Sequence, residues 1–385
     1  MNIGRLWRTV RHLNFDQWRY RITRRGLHII AALTPNFWKW RLEALSQKVP
    51  LADPTKSHLK AIADKVLVFQ TAVHGERLQE MVEGRFTFFG ETVDFGGIEG
   101  VDWRCSVNAD NGLLWRLNLG YMGYAVPWLA GGKSIDLDRT AAMVRSLSDG
   151  ALWAAPGVFK DIWNPYTASH RIINLLAGLN LFSRAGGHMN TAAVKVILDH
   201  CRSAAAYVSE NLERDLQFNH LMKNYVALSV YGAALEQLPL QWLSLSQDIM
   251  ASVAQNFLSD GGHAERSPMY HHLGLLDLRI ILESGQIKGA AVNILKDYER
   301  RANLALRILS HPDGDIALFN DSWLGEAPPA ITPAPKGLEP GRHKLPDMGY
   351  VRLDGGDDVA IMDVGPCGPD ENPAHAHADF LSVEL

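Results

Sequence analysis

Residues 260–285, DGGHAERSPMYHHLGLLDLRIILESG, combine a strong helix start with an unusual density of titratable side chains. Ser267 and Pro268 suit the N-cap and the first helical position. The apolar residues that follow recur every three or four positions, which predicts a core-forming helix. Tyr270 then falls in the first turn, where free backbone N–H groups and nearby Arg266 should lower its phenol pKa. On these residues alone, a half-buried, hydrogen-bonded tyrosine is the favoured interpretation.

The same apolar spacing recurs along most of the chain up to about residue 310. Short Gly, Pro or Asn breaks separate the segments, so consecutive helices are expected to form antiparallel hairpins. Residues 84–109 look like a partly extended insertion. Further on, MGYVRLDGGDDVAIMDVG predicts two strands around a tight turn, and AHAHADFLSVEL predicts another. The helical segments are 57–73, 139–155, 167–187, 191–216, 220–238, 243–262 and 268–285.

The composition is that of a soluble globular chain: 47% of the 385 residues are hydrophobic and 21% are charged, with a net charge of −4. This balance argues against nucleic acid as the main partner. Seven arginines and one acid fall within the first 25 residues, so a basic arm could touch a membrane surface or a polyanion, although arginines on a solvated helix face are the commoner explanation. The three cysteines show no CxxC spacing, which argues against a cysteine metal site. No segment approaches the ~20 apolar residues of a membrane span.

FNHLMKN, residues 218–224, places Asn219 and His220 at the start of a predicted helix, with Asn224 one turn after His220. Asn219 alone could be only an N-cap. The adjacent amide of Asn219 and imidazole of His220 could also donate hydrogen bonds to a carboxylate.

Aromatic residues crowd LWRLNLGYMGYAVPWL and IWNPYTASHRIINLL. Flat aromatic faces can stack on sugar rings, although core packing is favoured for most of them. Arg171 could bind an anionic group or pair with an acid. The aromatic candidates are Trp115, Tyr121, Tyr124, Trp128, Trp163 and Tyr166.

The segment AHAHAD places His375, His377 and Asp379 on one face of a predicted strand. Two histidines are an incomplete zinc site, since zinc needs three or more protein ligands.

Together, LWRLNLGYMGY, WNPYTASHRIINLL, FNHLMKN, DGGHAERSPMYH and the closing GYVRL…HAHADFLSVEL resemble, in this order, the heparinase II/III-like polysaccharide lyases. The N-terminal TVRHLNFDQWRYRI is similar to bacterial members found with surface-polysaccharide genes. The resemblance implies a mainly α fold, an incomplete (α/α) toroid of helical hairpins followed by the first strands of an antiparallel β-sandwich. We expect a basic helical arm over 1–50, the toroid over 51–315, a Pro/Gly-rich linker over 316–345 and an incomplete sandwich over 346–385.

The resemblance also implies β-elimination on a uronic-acid polysaccharide, glycosaminoglycan-like or alginate-like, with no required cofactor. Asn219 and His220 match the pair that neutralises the uronate carboxylate. Tyr270 matches the acid that protonates the leaving oxygen and can also act as base, and His375 matches a sandwich histidine near the cleaved bond. The base is then His220 or His375. The expected substrate-binding residues are Arg171, Arg266, Tyr166, Trp163, Trp115 and Tyr124.

His377 matches a ligand of the structural zinc that some members carry. The remaining ligands in the family lie past the point that corresponds to Leu385, so zinc is expected only in a longer form.

Two other functions stay open at this point. One is a catalytically silent protein that binds an acidic glycan or assists assembly in a surface-polysaccharide pathway. The other is a glycoside hydrolase using Asp260 and Glu265, although no pair of carboxylates is prominent. The lack of a recognisable export signal favours the cytoplasm, whereas the resemblance favours the periplasm.

Overall fold

The computed structural model describes residues 13–107, 112–150, 158–328, 338–355, 358–366, 368–369 and 381–385. Most of these residues are helical. The helices are α1 Phe15–Leu33, α2 Pro35–Ser46, α3 His58–His74, α4 Leu78–Val82, α5 Gly112–Tyr121, α6 Ala125–Ala130, α7 Ser134–Gly150, α8 Pro165–Arg184, α9 Ala192–Glu210, α10 Phe218–Ala233, α11 Leu245–Asn256, α12 Pro268–Glu283 and α13 Ala290–Ile308.

Alternate helices form an inner and an outer layer. The inner helices α8, α10 and α12 pack side by side, and both α8 and α12 also contact α3. Each outer helix packs on the inner helix before it: α9 on α8, α11 on α10 and α13 on α12. Helices α8 and α10 are buried around nearly their whole circumference, whereas α13 buries only a narrow stripe. This follows from the sequence, because a helix that is apolar on all sides must be covered on all sides. The predicted (α/α) toroid is confirmed.

Side-chain caps fix where the inner helices begin. Asn164 Oδ1 accepts a hydrogen bond from the Tyr166 backbone N–H at 2.9 Å, at the start of α8. Ser267 Oγ accepts one from the Tyr270 N–H at 3.3 Å, so α12 begins at Pro268 as predicted. Each cap satisfies an N–H group that the helix itself leaves unpaired. As a result, Tyr166 and Tyr270 both lie in first turns.

A short hairpin interrupts the helices within the segment expected to be partly extended. Strands β1 Arg85–Phe88 and β2 Glu91–Asp94 are antiparallel, with Phe88 opposite Glu91. Phe86 and Phe88 are buried and contribute to the toroid core.

The C-terminal sheet is antiparallel in the order β3-β4-β5-β6, with strands β3 Gly341–Leu345, β4 Tyr350–Asp354, β5 Val359–Asp363 and β6 Val383–Glu384. The strands β4 and β5 are the two predicted around the tight turn. Strand β3 lies within the segment that was expected to be a linker. Its sequence, GRHKL, lacks the alternating apolar pattern by which a strand is predicted, and it forms a strand by pairing with β4. Most of the predicted AHAHADFLSVEL strand lies outside the described residues.

A small second core joins the sheet to the toroid. Ile308 and Leu309 at the end of α13 pack with Phe319, Tyr350 and Ile361. None of the described helices is long and apolar enough to cross a lipid bilayer.

Candidate active site

A cavity of about 280 Å³ opens where the N-terminal turns of α8, α10 and α12 meet α3 and α5. Three helix N-termini at one cavity favour a bound anion, since each carries partial positive charge. The described residues that line it are Phe69, Gln70, Val73, His74, Leu114, Leu117, Asn118, Tyr121, Gly123, Asn164, Tyr166, His170, Asn219, His220, Tyr270, Leu273 and Glu326. The structure therefore brings Asn219, His220, Tyr166 and Tyr270 together, as the proposed chemistry requires.

Asn219 lies in the first turn of α10 and is not its N-cap, because Gln217 occupies that position. Gln217 and Phe218 have positive φ values of 61° and 42°. Such backbone conformations are costly for residues other than glycine and cluster at functional sites. Asn219 Oδ1 is buried with no hydrogen-bond partner among the described residues. This oxygen can therefore accept a hydrogen bond from a ligand in the cavity, whereas donation to a carboxylate falls to the amide Nδ2.

His220 is held by a carboxylate that the sequence analysis did not identify. Its Nδ1 lies 3.3 Å from Glu213 Oε1. Glu213 is fully buried, and Asn224 donates to its Oε2 at 3.1 Å while Arg24 Nη2 lies 3.6 Å from Oε1. Burial raises the pKa of Glu213, but His220, Arg24 and Asn224 together outweigh it and hold the pKa below its usual value. A carboxylate at Nδ1 orients the imidazole and leaves Nε2 for another partner.

Tyr270 donates its phenol proton to Asp321 Oδ2 at 3.2 Å. Burial raises the pKa of Tyr270 well above its usual value, and the acids Asp321, Glu265 and Glu326 raise it further. The predicted lowering of this pKa is wrong. Near neutral pH the side chain is therefore a phenol, which can give a proton but holds no free phenolate to accept one.

Glu326 is a second acid that sequence reasoning missed. It lies on the cavity wall, where burial, together with the nearby Asp321, raises its pKa to about 7, although a hydrogen bond from Asn118 acts in the opposite direction. Glu326 stands in a Pro/Gly-rich segment whose residues show neither helical nor strand periodicity, so its side chain could not be assigned to the site from the sequence.

A buried ion pair ties the helix of His220 to the helix of Tyr270. Lys223 Nζ on α10 lies 2.5 Å from Asp277 Oδ1 on α12, and both side chains are over nine-tenths buried. The Lys223 charge is therefore already paired within the protein.

Four aromatic residues were predicted to contact the substrate. Of these four, only Tyr166 is among the described residues that line the cavity. Its ring centroid lies 4.6 Å from that of His220. Tyr121 also lines the cavity, and it stacks on His170 with a centroid distance of 4.3 Å.

The other three aromatic candidates pack in the toroid core. Trp115 donates to the Glu91 carbonyl at 2.9 Å, and Tyr124 donates to the Leu119 carbonyl at 3.1 Å. Trp163 lies edge-on to Tyr207, at 5.0 Å between ring centroids. We do not retain these three as substrate contacts, since all are at least 95% buried within the core.

Arg171 is fully buried below the cavity and fixes the surrounding backbone. Its guanidinium donates to His200 Nε2 at 2.9 Å and to the carbonyls of Gly120 at 2.8 Å and Ile162 at 3.0 Å. Arg171 is not among the described lining residues and pairs with no acid in these contacts, so we do not retain it as an anion-binding residue.

Replacing Arg171 by Met should therefore lower stability. It leaves three buried acceptors unpaired, so we expect the free energy of unfolding to fall by about 3–5 kcal/mol in urea denaturation. Arg145→Met, on the exposed face of α7, is the matched control and should change it by less than about 0.5 kcal/mol. A loss below about 1 kcal/mol for Arg171→Met would contradict the structural role.

Arg266 and Asp260 hold the toroid to the sheet. Arg266 Nη1 donates to the carbonyls of Asp347 and Met348, at 2.7 Å each. Asp260 Oδ2 accepts from the backbone N–H groups of the same two residues at 2.7 and 2.9 Å. Neither side chain is among the described residues that line the cavity, so Arg266 is not retained as a substrate contact.

His375 and His377 lie outside the described residues, and so does Asp379. Within the described part of the chain, no three His, Cys, Asp or Glu side chains are grouped to hold a metal ion. We therefore derive no step through zinc.

Two family models match the chain: Heparinase II/III N-terminus over residues 154–332 and Heparinase II/III-like, C-terminal over residues 338–385. Together they cover more than half of it. The chain belongs to the heparinase II/III-like family. The match over 154–332 includes Asn219, His220, Tyr270 and Glu326, the residues that the cavity brings together.

One solved structure supports the fold, and two others are similar to it over part of their length. The crystal structure of heparinase III matches at 15% identity, covering 98% of this chain and 65% of that one, with a TM-score of 0.59. A heparan sulfate lyase HepC mutant from Pedobacter heparinus matches at 18% identity, covering 81% and 53%, with a TM-score of 0.48. The heparinase III-BT4657 gene product matches at 17% identity, covering 80% and 54%, with a TM-score of 0.49. The chain thus spans about half to two thirds of these structures. No curated protein matches it.

Proposed function

We propose that the cavity cleaves a uronic-acid-containing polysaccharide by β-elimination. The observation that carries this proposal is the convergence of Asn219, His220 and a protonated Tyr270 on one cavity at three helix N-termini. Membership of a family that includes polysaccharide lyases supports it.

The C5 proton of a uronate is weakly acidic, so its removal requires that the carboxylate charge be offset. Asn219 lies in the first turn of α10, where its amide N–H group and the helix N-terminus act on this carboxylate, and His220 beside it is left to take the proton. The proton passes to a base, the electron pair forms the C4=C5 double bond, and the C4–O bond breaks. The leaving oxygen then takes the phenol proton of Tyr270.

The roles of acid and base are divided between different residues. Tyr270 rests as a phenol near neutral pH, so it can give a proton but cannot accept one. His220 is the base in the described half of the site, because Glu213 orients its ring through Nδ1. His375, on the sandwich, is the other candidate base.

The hydrolase alternative finds no support in the cavity. Asp260 binds backbone N–H groups of Asp347 and Met348, and Glu265 is buried beside His263. Neither acid is among the described residues that line the cavity.

The test is incubation with a panel of acidic polysaccharides, followed by the ultraviolet absorbance of unsaturated uronate. We expect new unsaturated chain ends from at least one uronate glycan. Binding of an acidic glycan with no new chain ends would instead support the catalytically silent alternative.

The charges on the cavity wall limit how much negative charge the substrate can carry. None of the described lining residues is Lys or Arg. Burial lowers the pKa of His74 to about 4 and that of His170 well below its usual value, so neither is cationic near neutral pH. Glu326, with Asp321 nearby, adds negative charge on the Tyr270 side. We propose a glycan whose charge near the cleaved bond is the uronate carboxylate itself.

Glu326 should make substrate binding depend on pH. With a pKa of about 7, its carboxyl is mostly protonated near pH 6 and mostly ionised near pH 8. The ionised form repels an anionic glycan, so KM should rise by about fivefold over this interval, the equivalent of ~1 kcal/mol. Glu326→Gln should remove this part of the pH dependence, whereas Glu76→Gln on the surface should retain it. An unchanged KM profile in Glu326→Gln would contradict the assignment.

A further inference from the structure

Helix α1 turns its polar face toward the toroid. Gln17 is buried on that face, Arg24 Nη1 donates to Asp215 Oδ1 at 2.9 Å, and the His28 ring stacks on Phe159 with centroids 4.3 Å apart. A surface helix ordinarily buries its apolar stripe and exposes its polar one. In α1 the polar side chains of Gln17 and Arg24 face the toroid beside Ala31, whereas most of the large apolar side chains are exposed.

The apolar stripe of α1 faces outward along the whole helix. Phe15, Ile22, Ile29 and Leu33 follow one another at helical spacing and are 79%, 64%, 62% and 76% exposed. At 1.5 Å per residue the stripe is about 27 Å long. Helix α2 continues the same chemistry with Phe37 and Trp40, which are 52% and 62% exposed. We call these six residues the arm face.

Basic residues lie in and beside the arm face. Arg19 falls between Phe15 and Ile22 in the stripe itself, and its side chain is 56% exposed with Asp16 at 3.9 Å. Arg25 on α1 and Lys39 on α2 are also exposed. This combination of large apolar, aromatic and basic side chains is typical of helices that lie in the headgroup region of a membrane.

We propose that the arm face binds an anionic lipid surface, with α1 lying in the plane of the interface. The basic residues at the arm face favour lipid over a protein partner. Lysine, here Lys39, is depleted at protein interfaces, whereas at a lipid surface Arg19, Arg25 and Lys39 can reach the phosphates beside the apolar stripe. Apolar burial and attraction to anionic headgroups then act together. The arm would hold the cavity of the toroid close to a membrane without any spanning segment.

The test is sedimentation of the chain with vesicles of phosphatidylcholine alone or mixed with phosphatidylglycerol. Binding to the anionic vesicles should exceed binding to the neutral ones by at least about tenfold and should weaken with added salt. Ile22→Glu with Ile29→Glu should lower the partition coefficient at least about tenfold. Arg19→Glu with Arg25→Glu should lower it about thirtyfold.

The matched control is Ile135→Glu with Leu240→Glu, two exposed apolar residues away from the arm that are 60% and 84% exposed. It should leave vesicle binding within about twofold. Absence of binding to anionic vesicles overturns the proposal, and so does equal binding by the Ile22/Ile29 variant. Dimerisation in ultracentrifugation that this variant abolishes, without vesicle binding, would assign the arm face to a second copy of the chain instead.

Discussion

Tyr270→Phe is expected to lower kcat/KM for elimination about 10²–10⁴-fold, the usual contribution of a positioned general acid. The phenol gives its proton to the leaving oxygen only as the C4–O bond breaks. The loss should therefore appear in kcat, with KM nearly unchanged. The side chain otherwise stays in place, because Ser267 caps the helix and Tyr270 packs against the toroid core.

The fold of this variant can be checked separately. Loss of the hydrogen bond to Asp321 should cost about 1 kcal/mol of stability, which circular dichroism on heating would detect. Tyr298→Phe, on α13 beside Arg301, is the matched control and should retain full activity. Elimination within tenfold of the unsubstituted protein by Tyr270→Phe would remove Tyr270 from the mechanism.

Asn219→Ala is expected to lower kcat/KM about 10²–10³-fold, the usual effect of removing one donor to a developing oxyanion. As C5 loses its proton, charge moves onto the uronate carboxylate, so the amide binds the transition state more strongly than the ground state. Asn219→Asp should be more damaging, because a carboxylate of similar shape repels the uronate. Steady-state kinetics on a uronate oligosaccharide would measure both.

Asn293→Ala, on the exposed face of α13, is the matched control and should leave both kinetic constants unchanged. A loss confined to KM would show that Asn219 binds substrate and transition state equally. Equal activity of Asn219→Ala and Asn219→Asp would contradict the neutralising role.

Local patterns predicted the scaffold of the site well. Ser267 and Pro268 fix the start of α12 through hydrogen bonds within four residues, so the sequence placed Tyr270 in its first turn. The recurring apolar spacing likewise predicted the helices over 167–187 and 220–238, which correspond to α8 and α10. The resemblance to the lyase family then singled out Asn219, His220 and Tyr270.

The partners of those residues were not predicted, for two different reasons. Asp321 reaches Tyr270 across 51 residues of chain, from an irregular segment. Glu213 is only seven residues from His220, but it was expected inside the predicted helix 191–216, whereas the helix ends at Glu210 and Glu213 lies in the loop that follows. The pKa of Tyr270 was predicted to fall because Arg266 was assumed to act on the neighbouring phenol. Instead Arg266 points to the β3–β4 turn, and burial of the phenol is the largest cause of the raised pKa.

Aromatic and basic residues were the least predictable group. Trp115 and Tyr124 have the composition of a sugar platform, yet their polar atoms bind backbone carbonyls within the core. Arg171 likewise binds two backbone carbonyls, and it also donates to His200 Nε2. Whether such a side chain faces a core or a cavity depends on how the helices pack, which helical periodicity alone does not determine.

Elimination and hydrolysis of a uronate polysaccharide leave different products, and we propose that the cavity carries out elimination. The most direct measurement is mass spectrometry of the products formed in water labelled with heavy oxygen, using a uronate polysaccharide cleaved in the panel. Elimination adds no water, so the new non-reducing ends should be lighter by one water than hydrolytic ends, and no product should carry the label at the cleaved bond. Saturated ends that incorporate heavy oxygen would show hydrolysis and would overturn the proposed elimination.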